Sequence, residues 1–182
     1  MGRDELFLAR FMRKQRFWED NMIYRKAILS DVETIHFMVN EYATAGKMLP
    51  RSRGLLYECI RDFVVAEEEG KVVGAGALHV LWDDLAEIRT LAVHSEYNNL
   101  GVGKRIVREL LVEALSLGIS KVFTLTYQRQ FFEKCGFTVI DKDTLPQKVW
   151  TDCINCPKFP NCDEICMIID ANQYTDITIH SV

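Results

Sequence analysis

The residues best suited to chemistry lie between Glu87 and Arg105, in the stretch EIRTLAVHSEYNNLGVGKR. Asn98 and Asn99 tolerate left-handed backbone, and Gly101 and Gly103 remove side chains where a helix begins. A strand that stops, turns and runs into a helix presents free backbone N–H groups and the positive end of the helix dipole. Asn98, Asn99, Leu100, Gly101, Val102, Gly103 and Lys104 therefore form a candidate anion site, suited best to phosphate. The site is not a P-loop, since Asn98 stands where the first glycine would be and no Ser or Thr follows Lys104. Nor is it a dinucleotide fingerprint, which needs a third glycine. On the preceding strand, Glu87 and Leu91 share a face if the strand is regular, and a bulge between them breaks that parity.

Two further groups stand out. Lys47, Arg51 and Arg53 make a basic loop, KMLPRSRG, and Arg89 projects from the Glu87 strand. Arginine grips carboxylates in two-point fashion, so these four cations are candidate partners for an acidic small molecule, against the alternative of a solvated basic loop. Cys153, Cys156, Cys162 and Cys166 place four thiols within fourteen residues. Zinc favours four such ligands, but Cys166 falls in a strand and the spacing fits no common zinc pattern. A reduced cysteine-rich loop is the leading expectation and a structural zinc the alternative.

The elements that must position these residues follow from periodicity. Met22–Leu29 reads as a first strand, and Ser30 with Glu33 reads as a capping box opening a helix striped by Val32, Ile35, Val39 and Tyr42. A second helix follows the basic loop through Leu55, Leu56, Cys59 and Ile60. Phe63–Glu67 and Lys71–Leu81 read as a hairpin around Glu68–Gly70, with Gly74 and Gly76 marking close packing or a bend. The Glu87 strand leads to a long helix carrying Ile106, Leu110, Leu111, Ala114 and Leu117 and ending at Gly118. Lys121–Thr126 must then run parallel to the Glu87 strand if a right-handed crossover joins them. Gln128–Cys135 is a helix, Phe137–Ile140 a strand, 143–162 a proline-bearing loop, and Glu164–Asp170 a closing strand. The fold class expected is α/β in the α+β sense, a mixed sheet with antiparallel strands first, a βαβ unit in the middle and helices on both faces. Residues 22–170 form the domain, 1–21 an amphipathic helical extension or a leader, and 171–182 a tail.

Bulk composition narrows the partners. With 182 residues, 48% hydrophobic and 26% charged, the chain can build one substantial core. A net charge of −4 argues against nucleic acid or an anionic membrane as the main partner. No apolar run approaches the roughly 20 residues of a membrane span. The first residues lack the apolar core and cleavage site of a secretory signal, so the six cysteines are expected as reduced thiols in a cytoplasm. The four histidines show no ligand spacing.

This order of elements, with the strand–turn–helix at Glu87–Arg105, resembles the GCN5-related N-acetyltransferase (GNAT) family. That family's pyrophosphate loop reads Arg/Gln-x-x-Gly-x-Gly/Ala; here it is Asn98-Asn99-Leu100-Gly101-Val102-Gly103, with Asn98 in place of the usual side chain. FFEKCGF, from Phe131 to Phe137, is similar to the family's second motif. ALHVLWDDLAEIRTLAV, the RSR of Arg51–Arg53, LTYQRQFFEKCGF and KVW-x-DC-x-x-CPKFP-x-CDE resemble more closely the short single-domain amino-acid N-acetyltransferases, the N-acetylglutamate synthases of bacterial arginine biosynthesis. The resemblance implies the GNAT fold, a mixed, mostly antiparallel twisted sheet with a central splayed parallel pair and helices on both faces, and acetyl-CoA as donor, its pyrophosphate on the glycine loop and its pantetheine along Leu91, Ala92 and Val93, with Phe131 nearby. It implies Glu87 as the base that deprotonates the amine and a backbone N–H, that of Leu91, as oxyanion donor. Arg51 resembles the arginine that binds the α-carboxylate of L-glutamate. The family often has a tyrosine as general acid; Phe131 and Phe132 occupy that zone here, leaving Tyr127 as the nearest hydroxyl. A homodimer is common among such proteins. Two other readings stay open: the same chemistry on glutamine, another amino acid or a different amine, and a non-catalytic acyl-CoA-binding or metal-dependent interaction module.

Overall fold

The computed structural model describes residues 21–146, Lys158 and 161–174. The expectations for the first twenty residues, for Cys153 and Cys156, and for the tail beyond Tyr174 lie outside the described residues. Strands β1 (Met22–Lys26), β2 (Phe63–Glu68), β3 (Lys71–Val80), β4 (Leu85–Val93), β5 (Lys121–Thr126), β6 (Thr138–Val139) and β7 (Ile165–Asp170) form one sheet in the order β1-β2-β3-β4-β5-β7-β6. Every neighbouring pair is antiparallel except β4 with β5. Helices α1 (Val32–Thr44), α2 (Arg53–Glu58), α3 (Val102–Ser116) and α4 (Arg129–Lys134) connect them. Among the described residues no helix is long and apolar enough to cross a membrane.

The sheet carries a core on each face. On one, α3 turns Val102, Ile106, Val107, Leu110, Leu111 and Ala114 inward, the i, i+4, i+8 spacing of a single stripe. These meet Leu78, Ala86, Ile88, Val93, Val122 and Phe132. Ile106, Leu110 and Leu111 are fully buried, a contribution of about 1.5–3 kcal/mol each by apolar burial. The helix lies unusually close to β3, because a Cβ at Gly76 would sit 2.6 Å from Ile106 Cγ2 and one at Gly74 2.9 Å from Ile106 Cδ1. The expected close packing at these glycines is thus the observed one. On the other face Val32, Ile35, Met38 and Val39 of α1 pack with Leu56, Phe63, Val65, Ala75, Ala77 and Ala92.

The start of α1 differs from the expected capping box. A 3-10 turn over Leu29–Asp31 precedes the helix, and Asp31 Oδ2 accepts from the Ile28 N–H at 2.9 Å while Arg25 donates to the same carboxylate at 2.7 and 3.1 Å. Glu33 instead accepts from Arg53 Nε at 2.8 Å. A buried acid with a guanidinium partner from β1 has displaced the local Ser30–Glu33 arrangement, a tertiary contact that no local pattern specifies. Two strands are shorter than read from sequence by more than one residue: β1 stops at Lys26, where Ala27 donates to Phe63 C=O, and β6 keeps only Thr138 and Val139.

Candidate active site

The site is created by two irregularities in β4. Its register with β3 runs Glu87 to His79 and Ile88 to Leu78, then Thr90 to Ala77 and Leu91 to Gly76, so Arg89 is an extra residue with no partner across the ladder. The bulge inverts the alternation. Ile88 joins the α3-side core, Ala92 the α1-side core, and Leu91 packs on the α3 side, so Glu87 and Leu91 fall on opposite faces. The regular-strand expectation of a shared face gives way to the bulged alternative. The second irregularity is that β4 and β5 pair only at Leu85–Lys121, Ala86–Val122 and Glu87–Phe123. Beyond Glu87 the parallel strands splay, and the buried Thr124 hydroxyl donates to the Ile88 carbonyl at 2.9 Å in place of the ladder.

A cleft of about 1260 Å³ opens between the splayed strands. Its size suits an extended ligand better than a compact one, since drug-sized sites run to about 1000 Å³. Glu87, Arg89, Thr90, Leu91 and Val93 of β4, Thr124–Thr126 of β5, Phe131 of α4 and the turn at Asn98, Asn99, Gly101, Gly103 and Lys104 all line it, as do Lys47 and Arg51. Ala92 and Val102 are buried in the cores, so of these two only backbone is available to a ligand, and Leu100 is partly buried against the α3-side core. Among the described residues the lining holds six cations (Lys47, Arg51, Arg89, Lys104, Lys134, Lys142) against three acids (Glu87, Asp143, Glu164), a positive surface in a chain of net charge −4. Such a cleft concentrates polyanions.

At the phosphate end, Gly101 takes φ +87° at the cap of α3, a left-handed conformation open to glycine at little cost, with nothing within 4 Å of where its Cβ would stand. The helix's backbone ladder starts with Arg105 N–H donating to Gly101 C=O at 3.0 Å. The N–H groups of Gly101, Val102 and Gly103 precede that bond at a fifteen-residue helix's positive end. A Cβ on Gly103 would lie 3.4 Å from the Phe131 ring, so the bare glycine keeps the space between helix start and ring open. These residues fit the diphosphate of a coenzyme A.

At the other end, Glu87 Oε2 accepts from Arg89 Nε at 2.9 Å, and the two side chains are 13% and 17% exposed. Burial pushes the Glu87 carboxyl up from its ordinary value, while the charges of Arg89, Arg51 and His79 pull it down. Burial wins, and the carboxyl sits above its ordinary value. Arg51 stands on the α1–α2 loop, and that loop is tied down because Asn40 Nδ2 donates to Arg51 C=O at 3.0 Å and to His36 C=O at 2.8 Å. Lys47 lies over the Tyr42 ring at 5.8 Å.

Two sequence candidates are placed elsewhere. Arg53 opens α2, exposed and paired with Glu33 across the surface, and does not line the cleft. Tyr127, just past the end of β5, does not line the cleft although its neighbours Thr126 and Gln128 do. Its hydroxyl donates to Asp163 Oδ1 at 2.6 Å and accepts from Lys158, which does not leave it facing a departing thiolate. The tyrosines at the cleft are ones the periodicity assigned to packing or left unremarked. Tyr42 donates to Val93 C=O at 2.7 Å, and Tyr97 donates to the buried Glu68 at 2.5 Å, a bond that lifts the phenol to about 12. Among the described residues no group of three or more His, Cys, Asp or Glu side chains is arranged to hold a metal, and the zinc alternative finds no support there. Cys166 is buried within β7, paired opposite Leu125, and its thiol is pushed up to about 11 by burial.

A splayed parallel pair, a β4 bulge and a glycine turn at a helix start are one arrangement, and residues 33–137 match the model of the acetyltransferase (GNAT) family. The chain belongs to that family and is an acetyltransferase. Among relatives, it is 42% identical over 144 residues to an uncharacterized N-acetyltransferase of Chlorobaculum tepidum, covering 79% of this chain and 93% of that one. It is 43% identical over 134 residues to the amino-acid acetyltransferase of Mycobacterium tuberculosis, covering 71% and 76%. Among solved structures, the N-acetylglutamate synthase of Neisseria gonorrhoeae complexed with coenzyme A and N-acetyl-glutamate superposes with TM-score 0.76 at 26% identity over 82% of this chain, which spans 35% of that larger one.

Proposed function

We propose that this GNAT enzyme transfers the acetyl group of acetyl-CoA to the α-amine of L-glutamate by direct attack in a ternary complex. The observation that carries the reading is a single cleft holding a phosphate-type helix start at one end and a buried carboxylate between two arginines, Arg51 and Arg89, at the other. The likeness to the Mycobacterium tuberculosis amino-acid acetyltransferase and to the synthase complexed with coenzyme A and N-acetyl-glutamate supports it.

In this reading the Asn98–Lys104 turn takes the pyrophosphate, and the edge of Leu91 to Val93 that faces β5, where the β4–β5 ladder has ended, pairs with the pantetheine amides. The Leu91 N–H stabilises the oxyanion that forms as nitrogen attacks. An α-ammonium is unreactive until it loses a proton, and Glu87 accepts it. Arg51 binds a carboxylate of the acceptor and Lys47 adds charge at the loop. With Tyr127 committed to Asp163, no side-chain acid is assigned; a thiol has a pKa of ~8.5, so its thiolate is a competent leaving group unaided.

Thiol release from acetyl-CoA, measured across glutamate, glutamine, aspartate, neutral amino acids and a polyamine, tests the proposal. Turnover with glutamate at far higher kcat/KM than with the rest is the expected result. Preferential turnover of glutamine or of an uncharged amine refutes the acceptor, and no turnover with any amine refutes the whole reading.

A further inference from the structure

Where two strands part, the backbone groups that would have joined them need other partners. β3 holds the outer edge of β4, and β7 holds β5 along its length from Lys121 to Thr126, so only the facing edges of β4 and β5 are at issue. The ladder fixes which groups of β4 these are. His94 N–H donates to Val73 C=O at 2.8 Å, and Val93 stands opposite Gly74. Successive residues of an antiparallel pair turn their backbone groups to opposite sides, so the N–H and C=O of Leu91 and of Val93 face away from β3, toward β5.

Two carbonyls on that edge are closed by hydroxyls. Where the splay begins, Thr124 of β5 donates to Ile88 C=O at 2.9 Å. Where β4 ends, Tyr42 reaches across from α1 and donates to Val93 C=O at 2.7 Å. Asn98 Oδ1, 3.5 Å from the Tyr42 hydroxyl, is too distant to compete for its proton. Both hydroxyls are held in place: Thr124 is buried, and Tyr42 C=O accepts from Lys47 N–H at 2.9 Å at the end of α1. Leu91 lies between the two capped carbonyls. We propose that Thr124 and Tyr42 are positioning residues that hold β4 and β5 apart in the free protein, capping the carbonyls at both ends of the gap and leaving Leu91 to the amides of the donor. This rests on the reading of that edge as the pantetheine seat and deepens it, because it explains how the seat exists before the cofactor arrives.

A buried carbonyl without a donor is costly enough to move a conformational equilibrium. Ile88 and Val93 are both buried. With its hydroxyl removed, each carbonyl gains by leaving the open arrangement, Ile88 by extending the β4–β5 ladder past the Glu87–Phe123 pair. The cofactor then binds only the fraction of molecules still open, and its apparent affinity falls by that fraction. Because the hydroxyls bond to backbone and not to the cofactor, the loss belongs to association and not to release.

Coenzyme A alone is the probe, so no acceptor enters the measurement. Calorimetry gives its affinity and the number of competent sites, and surface plasmon resonance gives its association and dissociation rates. The proteins compared are the wild type, Thr124→Val, Thr124→Ser, Tyr42→Phe and the double variant of Thr124→Val with Tyr42→Phe. Thr124→Val and Tyr42→Phe are each expected to bind about fivefold or more weakly, through slower association at an unchanged release rate, and the double variant more weakly still. Thr124→Ser keeps the donor and is expected within about threefold of the wild type. Either hydroxyl-free single variant within about threefold of the wild type overturns the proposal. Weakening carried by faster release overturns it too, since it puts the hydroxyls on the cofactor itself. Thr124→Ser as weak as Thr124→Val has the same force, because the methyl and not the hydroxyl would then matter. If the double variant does not fold, the single variants carry the same test. A wild type that does not bind coenzyme A fails the cofactor reading and this proposal with it, whereas a wild type that binds, with variants that bind equally, loses only the proposal.

Discussion

Replacing Glu87 with glutamine keeps the side chain's size and its capacity to accept from Arg89 Nε at 2.9 Å, but removes the group that takes the proton. A positioned base contributes a factor of about 10²–10⁴, equivalent to about 2.7–5.4 kcal/mol of transition-state stabilisation at about 1.36 kcal/mol per tenfold. The pH dependence gives the sharper test. Because burial raises the Glu87 carboxyl above its ordinary 4.5, the wild type is expected to lose activity as pH falls through that raised value and to be level above it. The glutamine variant must wait for acceptor molecules that have already lost their proton, a fraction that rises tenfold per pH unit below the amine's own pKa. Its log kcat/KM should therefore climb with a slope of one from about pH 6 to about pH 8, closing on the wild type only in alkali. Thiol release with saturating acetyl-CoA, followed from about pH 5.5 to about pH 9, measures both profiles. A variant within about threefold of wild type near pH 7, with a level profile, would refute the base assignment.

Further outcomes follow from the placement of other side chains. Tyr127→Phe should change kcat by no more than about threefold, because the hydroxyl faces Asp163; a fall of more than about thirtyfold would restore it as the acid. Arg51→Ala should raise the KM for glutamate by about 10- to 100-fold, the loss of a charge-assisted contact of about 1.5–3 kcal/mol, while Arg53→Ala should leave it within about twofold, and reversed effects would exchange their roles. Gly76→Ala forces a methyl to within 2.6 Å of Ile106 and should cost about 1–3 kcal/mol by overpacking, read as a fall in Tm of several degrees; an unchanged Tm would mean that α3 is free to move away.

Much of the site could be read from the chain because its parts are local. The turn at Asn98–Gly103 announces itself through glycine and asparagine at a change from period two to period 3.6, and the β2–β3 hairpin through Glu69 and Gly70, which take φ 48° and 77°. What could not be read depends on distant partners. The insertion of β7 between β5 and β6 is a matter of pairing between segments some forty residues apart, to which alternation is indifferent. The bulge at Arg89 has no side-chain signature, since an extra residue in a ladder shows only against its opposite strand. Tyr42 sits at helical spacing and so reads as core, and only the carbonyl of Val93, fifty-one residues on, makes its hydroxyl part of the cleft. Asn40 is equally silent in sequence, because its partner is the backbone of Arg51 rather than any side chain. Asp31 displaced the expected Ser30–Glu33 cap because Arg25 reaches it from the neighbouring strand.

The extra residue in β4 also has a consequence for how such an enzyme can change. Before Arg89 the strand's odd-numbered side chain, Glu87, lines the cleft; after it the odd-numbered Leu91 looks toward α3 and the even-numbered Ala92 toward α1. One strand is thus written in two reading frames, separated by a single residue that belongs to neither. Under the proposed function, substitutions in the first frame can retune the choice of amine while the second goes on holding the helix whose start borders the cleft. Deletion of that one residue would put Leu91 and Ala92 on the wrong sides and disrupt both jobs at once. Acceptor specificity is therefore free to drift by point substitution, and the strand's length is not.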